Sequence, residues 1–213
     1  MSAWRPYNNA AGERIPSVTT VLSRFKESGA LMHWAWVQGR DGKDYRETRD
    51  AAADAGSCAH ALIEAHIKSA PFVEQGWTDD ALARGRVAFG AFQAWSAGCN
   101  LMPVASELRL VSETMQVGGT IDCVATVGNA LAIVDWKTGG LYPDHLYQVA
   151  AYAMLYEEAN PGAQIIGYHL CRFNRESGDF SHSYFAELEQ QRQGFLLMRR
   201  LYTIDQATKK RVK

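Results

Sequence analysis

The chain has 213 residues, 47 % apolar and 21 % charged, with a formal net charge of −1. That composition belongs to a soluble globular protein, long enough to bury a sizeable core. No apolar run is long enough to span a bilayer and the N-terminus lacks a signal-peptide pattern, so a cytoplasmic, intracellular protein without a membrane partner is expected.

The four cysteines, Cys58, Cys99, Cys123 and Cys171, are scattered and form no C-x-x-C pair. Zinc and iron–sulfur frameworks are therefore not indicated, and reduced, buried thiols are expected. Charge is spread unevenly. Residues 1–50 carry 8 Lys/Arg against 6 Asp/Glu, residues 51–189 carry 7 against 16, and residues 190–213 carry 7 against 1. An acidic middle between basic ends fits a cation site flanked by arms that meet a polyanion; a solvated, frayed tail at Lys209–Lys213 is the plainer reading of the last segment.

Residues 1–16 read as polar and irregular. Ile15 to Leu22 reads as the entry to a helix with Ser17 or Thr19 as its cap. Hydroxyls beside free helix-start N–H groups can also hold a phosphate, but capping is the simpler role. Trp34 and Trp36 fall in a short helical run ending near Gly39. Core packing is expected of them, with base stacking as the alternative. Residues 45–69 read as one helix interrupted near Gly56. His60 and Glu64 share a face of it, and Gly56, Ser57 and Ala59 let that face approach a neighbour closely. A lone helical histidine is most simply a core residue. It becomes a candidate ligand only if this helix packs over the hairpin described below.

Residues 78–97 predict a second long helix, from Thr78-Asp79-Asp80 to Gly98, with Phe89, Phe92 and Trp95 on its packed face. Residues 103–112 alternate as a strand. Glu107 and Arg109 share one face, so Glu107 either reaches an acidic site or pairs with a base. Val117–Val127 and Ala130–Lys137 are apolar, β-branched runs on either side of Gly128-Asn129, a strong hairpin signal. A two-residue loop pairs Val127 with Ala130 and carries Asp122 to a place opposite Asp135. Lys137 then shares the face of Asp135 and lies opposite Thr120. Two carboxylates meeting this way are roughly 5 Å apart at Cβ. They repel by about 3 kcal/mol at an effective dielectric near 20. A divalent cation with oxygen ligands offsets that repulsion better than one lysine can.

After Gly139-Gly140, residues 143–159 predict a helix with Gln148 and Tyr152 one turn apart on one face. Val149, Ala150, Ala153 and Met154 form its buried stripe. Residues 163–172 read as a strand reached by a parallel crossover, residues 179–186 as an edge strand, and 187–203 as a closing helix. The expected fold class is α/β, mixed with α+β character. An antiparallel meander plus one parallel crossover strand makes the central mixed sheet, flanked by helices. Residues 1–213 are expected to form one domain: about 1–100 helical, about 101–186 the sheet core, and 187–213 the closing helix and basic tail.

These pieces together resemble the PD-(D/E)XK nuclease superfamily, in particular its RecB-type exonuclease branch, which includes phage-type and mitochondrial genome-maintenance exonucleases. The resemblance rests on Pro-Ser-Val-Thr-Thr-Val-Leu at 16–22, Gly-x-x-x-His at 56–60, Gly-Thr-Ile-Asp at 119–122, Asp-x-Lys-Thr at 135–138 and Gln-x-x-x-Tyr at 148–152, in that order. It implies a restriction-endonuclease-like core and a metal-dependent DNA exonuclease. His60, Asp122 and Asp135 would bind Mg²⁺ or Mn²⁺, with the Trp136 backbone carbonyl as a further ligand and Glu107 in second rank. Lys137 would orient or help deprotonate the attacking water, and Gln148 and Tyr152 would position Lys137 and the scissile phosphate. Ser17, Thr19, Thr20, Thr138 and Tyr152 would touch DNA. No Gly-x-x-x-x-Gly-Lys-[Ser/Thr] occurs, so no ATP is expected. A non-catalytic DNA-binding module, an endonuclease or a ribonuclease on the same scaffold remain the alternatives, and no oligomer interface is legible.

Overall fold

The computed structural model describes residues 5–26 and 29–212. Near the N-terminus, where irregular chain is expected, β1 (Tyr7–Asn8) and β2 (Arg14–Ile15) pair antiparallel. The pairing exists because it buries Tyr7 and Ile15 against the body. Next come the helices α1 (Val18–Ser23), α2 (Gly29–Arg40), α3 (Tyr45–Ile67) and α4 (Asp79–Ala97).

Two of these helices differ from expectation. No residue of α2 is buried, and Trp36 is 59 % exposed, so the core role expected of the α2 tryptophans does not hold. α3 runs unbroken through Gly56. A glycine inside a helix costs about 1 kcal/mol. The burial of Ala55, Cys58, Ala59, Leu62 and Ile63 offsets that cost. α4 starts as expected: the Thr78 hydroxyl accepts the Ala81 N–H at 3.2 Å.

The sheet follows, with β3 (Leu101–Ser112), β4 (Val117–Val127), β5 (Ala130–Lys137), β6 (Gly167–Phe173) and β7 (Phe180–Phe185) lying in chain order. All neighbours are antiparallel except β5 and β6, which are parallel and joined through α5 (Asp144–Ala159). The two-residue turn at Gly128-Asn129 has Gly128 at φ +63°, and Val127 faces Ala130 as the pattern requires. α6 (Glu189–Arg211) closes the chain. Lys209, Lys210 and Arg211 lie in its last turn rather than in a frayed tail, where their charges suit the negative helix end.

The sheet is covered on both faces. α1, α5 and α6 close one side over Val21, Ile121, Ile133, Val149, Leu155 and Phe195. α3 and α4 close the other over Ile63, Phe92, Trp95, Val134, Trp136 and Phe173. Trp136 meets Phe92 edge-on at 5.6 Å, which roots the end of β5 in this second core. Cys58, Cys123 and Cys171 are buried and Cys99 is half-buried, all as free thiols. Among the described residues no helix is long and apolar enough to cross a membrane.

Candidate active site

The ladder between β4 and β5 ends at Cys123–Val134, one step before the two aspartates would pair. Asp122 therefore does not face Asp135 in register, and Lys137 does not stand opposite Thr120. β5 itself runs on in regular pairing with β6 through Lys137–Arg172, so the irregularity lies on the β4 side. At the parting, Asp122 Oδ2 accepts the Trp136 backbone N–H at 2.8 Å. A carboxylate side chain thus takes the amide left free by the strand break, and head-on repulsion across a ladder is avoided.

Glu107 enters from the other side of β4. The pairs Ser106–Cys123 and Leu108–Ile121 bracket it, so its partner position is Asp122. Its φ is +51°, in the left-handed region, inside a strand. Such a residue costs about 1–3 kcal/mol and persists where its surroundings hold it. The alternation of β4 slips at the same point: Ile121 and Val124 pack in one core, Cys123 and Ala125 in the other.

α3 does pack over this edge. His60 Nδ1 lies 3.6 Å from Glu107 Oε1 and 3.6 Å from Asp122 Oδ1. Ligand atoms of His60, Glu107 and Asp122 all lie within 4.8 Å of one another. Octahedral ligands about 2.1 Å from an ion stand about 3.0 Å apart when adjacent and about 4.2 Å when opposite, so this spacing suits a hard divalent cation. Burial disfavours the charged imidazole, but Asp122 and Glu107 outweigh it and push the His60 pKa up to about 9. Glu107, assigned second rank from sequence, is thus part of the trio, while Asp135 lies outside it. Trp136 meets the site through its amide.

Asp135 is fully buried beside Lys137, whose Nζ lies 2.5 Å from Asp135 Oδ2. Neither Asp135 oxygen has a hydrogen-bond partner of good geometry. Burial pushes this carboxyl above its usual range, Lys137 pulls against the rise, and the nearby Asp122 charge adds to it. Burial also works against the Lys137 ammonium, yet Asp135 and Asp122 hold its pKa above the ordinary value. A buried carboxylate close to an imidazole and two further carboxylates is donor chemistry suited to a divalent cation.

α5 carries Gln148 and Tyr152. Gln148 Nε2 donates to the Tyr152 hydroxyl at 2.9 Å. Burial first, then the Asp122 and Asp135 charges, keep the phenol protonated well above its usual range. The ring reaches this depth because a Cβ on Gly119 would sit only 2.8 Å from Tyr152 Cε1. His145 shares this helix face and is buried, with Nδ1 accepting the Tyr142 N–H at 3.2 Å. Burial and then Lys137 lower its pKa. Its spacing to Gln148 and Tyr152, three and seven residues, was the signal in the sequence that marks it.

The residues assigned to DNA contact are spread more widely. Ser17 Oγ accepts the Thr20 N–H at 3.0 Å and lies 3.0 Å from the Thr19 hydroxyl, so it caps α1. A bridge from Ser17 to Gly118 brings this cap onto β4, where Tyr7 covers Gly118 and its hydroxyl meets Thr120 Oγ1 at 2.7 Å. Thr138 follows Lys137 and lies against Gly56 of α3. A cleft of about 840 Å³ opens beside His60 and Glu107 and runs along Ala61 and Ala65 to Phe72 and Trp77.

A sequence model of the PD-(D/E)XK nuclease superfamily matches residues 7–209. The chain belongs to the PD-(D/E)XK nuclease superfamily. Its mixed sheet between helical layers is the restriction-endonuclease-like fold of that superfamily. Asp135-Trp136-Lys137 fits the D-x-K of the PD-(D/E)XK motif. No curated protein matches the chain. Among solved structures, a protein from Eubacterium rectale described as a candidate exonuclease shares 8 % identity with a TM-score of 0.45, over 71 % of this chain and 65 % of that one. This chain therefore spans less than two thirds of that protein's length.

Proposed function

We propose that the protein is a divalent-metal-dependent DNA exonuclease of the RecB-type branch, with residues 1–213 acting as one nuclease domain. The observation that carries this reading is the convergence of His60, Glu107 and Asp122 beside the buried Asp135–Lys137 pair. His60, Glu107 and Asp122, with Asp135 adjacent, would hold Mg²⁺ or Mn²⁺. Such an ion, when bound, lowers the pKa of a coordinated water and offsets charge on the phosphate.

The chain's own groups do the rest. Lys137 orients the attacking water and offsets negative charge that grows on the phosphoryl oxygens. Tyr152, held by Gln148, offers a protonated hydroxyl near the Asp122 and Asp135 carboxylates, where it would position the scissile phosphate. The α2 helix offers a stacking surface for bases: Trp36 is exposed, His33 stacks on it at 5.8 Å, and the Arg40 guanidinium lies 5.4 Å from its ring. Substrate contacts fall mainly on the phosphate backbone, so binding weakens steeply with salt. The reaction itself calls on no nucleotide cofactor.

An end-labelled DNA digestion with Mg²⁺ and with Mn²⁺ tests this, run on free-ended and end-blocked substrates and on a matched RNA. Mononucleotide release from free ends, lost in Asp135→Ala and Lys137→Ala, is the expected result. Cleavage of end-blocked DNA at the same rate overturns the exonuclease assignment. Unaltered metal-dependent cleavage by Lys137→Ala overturns the site.

A further inference from the structure

Just after Lys137 the chain enters Thr138-Gly139-Gly140, and two consecutive glycines leave a backbone with little stiffness of its own. Three neighbours grip it. Arg175 Nη1 donates to the Thr138 carbonyl at 3.1 Å and to Thr138 Oγ1 at 3.3 Å. Arg172 Nε donates to the Gly139 carbonyl at 3.1 Å. From the opposite side α3 presses on Thr138: a Cβ on Gly56 would lie 3.0 Å from Thr138 Oγ1. Gly56 is one turn from His60 on that helix.

The grip is anchored away from the cleft. Arg172 is the register partner of Lys137 and lies 3.8 Å from Asp179 through Nη1. Arg175 Nε is buried and faces Glu176 Oε1 at 3.4 Å, and Glu176 is also held by Arg84 of α4. Guanidinium groups suit this task because one planar fork serves several acceptors at fixed angles.

We propose that Arg175, with Arg172, is a positioning residue: it fixes the end of β5, and so the Lys137 ammonium, relative to His60 on α3. This inference rests on the nuclease reading above. A displacement of about 1 Å in such a group costs up to about a hundredfold in rate.

The test compares wild type with Arg175→Ala, Arg175→Lys and Arg172→Gln in steady-state DNA hydrolysis, together with amide hydrogen exchange over residues 136–142. The expected result for Arg175→Ala is a kcat at least about tenfold lower with KM within about twofold, alongside faster exchange confined to that segment. Arg175→Lys, which keeps one donor, should recover part of the rate. A raised KM with unchanged kcat overturns the proposal and marks Arg175 as a direct phosphate contact. Unchanged kcat and unchanged exchange also overturn it. Should Arg175→Ala not fold, the same criteria apply to Arg175→Lys and Arg172→Gln. The exchange readout needs no activity: an inactive wild type defeats the nuclease reading, while loosening of the segment still reports on the grip.

Discussion

Asp122 accepts the Trp136 amide at the point where β4 and β5 part, 2.8 Å from Oδ2 to N. One side chain therefore has two duties, closing the backbone at the strand break and bringing Oδ1 within 3.6 Å of His60 Nδ1.

The duties separate by mutation. Asp122→Asn keeps a carbonyl oxygen for the amide and removes the charge, so it should abolish metal-dependent cleavage while unfolding close to wild type. Asp122→Ala orphans a buried N–H and should lose a further ~1–3 kcal/mol in a urea titration. Equal stability of the two variants would count against the amide's role.

Glu107 sits at φ +51°, a conformation glycine adopts without penalty. Glu107→Gly should therefore be more stable than Glu107→Ala by about 1 kcal/mol, although both lose the carboxylate. Both should also lose the rise in melting temperature that Mg²⁺ or Mn²⁺ gives the wild type, since an ion that binds only the native state stabilises it. A metal-induced shift that survives in Glu107→Gly would remove Glu107 from the ligand set.

On α2, Trp36→Ala removes an exposed ring that buries nothing in the body. Its melting temperature should match wild type. Binding of single-stranded DNA to protein with inactivating Ca²⁺ in place of Mg²⁺ should weaken by about 1–3 kcal/mol, the usual worth of one stacked base. Unchanged affinity would leave α2 without a substrate role.

Far from the cleft, His169 Nδ1 and His182 Nε2 share a hydrogen bond of 2.7 Å between β6 and β7. Burial, with His182 adding to it, lowers His169 from 6.5 to about 4. The unfolded chain therefore takes up this proton first. The stabilisation is present above about pH 6.5 and is lost as pH falls toward 4. Urea midpoints measured across that window should decline less steeply for His169→Gln than for wild type; parallel declines would contradict the burial argument.

Local patterns announce what local forces decide. The hairpin turn, the α4 cap and the parallel crossover follow from residue types over short spans, and the observed register of Val127 with Ala130 agrees. The ladder's early end does not, because it falls where β4 changes face beside the left-handed Glu107 of β3, a pairing between residues fifteen positions apart. The left-handed Glu107 leaves no trace in its residue type, since non-glycine residues enter that region only when their surroundings impose it. Tryptophan favours burial on average, and that tendency misplaces Trp36, because α2 meets α3 only along the Trp34 side, where Tyr45 lies edge-on at 6.4 Å, and none of the described α2 residues is buried. The roles of Arg172 and Arg175 were invisible for a simpler reason: lone arginines are common, and only the folded chain brings these two to Thr138 and Gly139.

α3 is one uninterrupted rod of 23 residues, about 34 Å long, with His60 past its midpoint. Its first three turns, Tyr45–Asp54, stand almost wholly in solvent, and the next residue, Ala55, is where it becomes embedded. The geometry is that of a lever with its fulcrum at the sheet. With no break at Gly56, the exposed arm and the imidazole share one continuous helix axis.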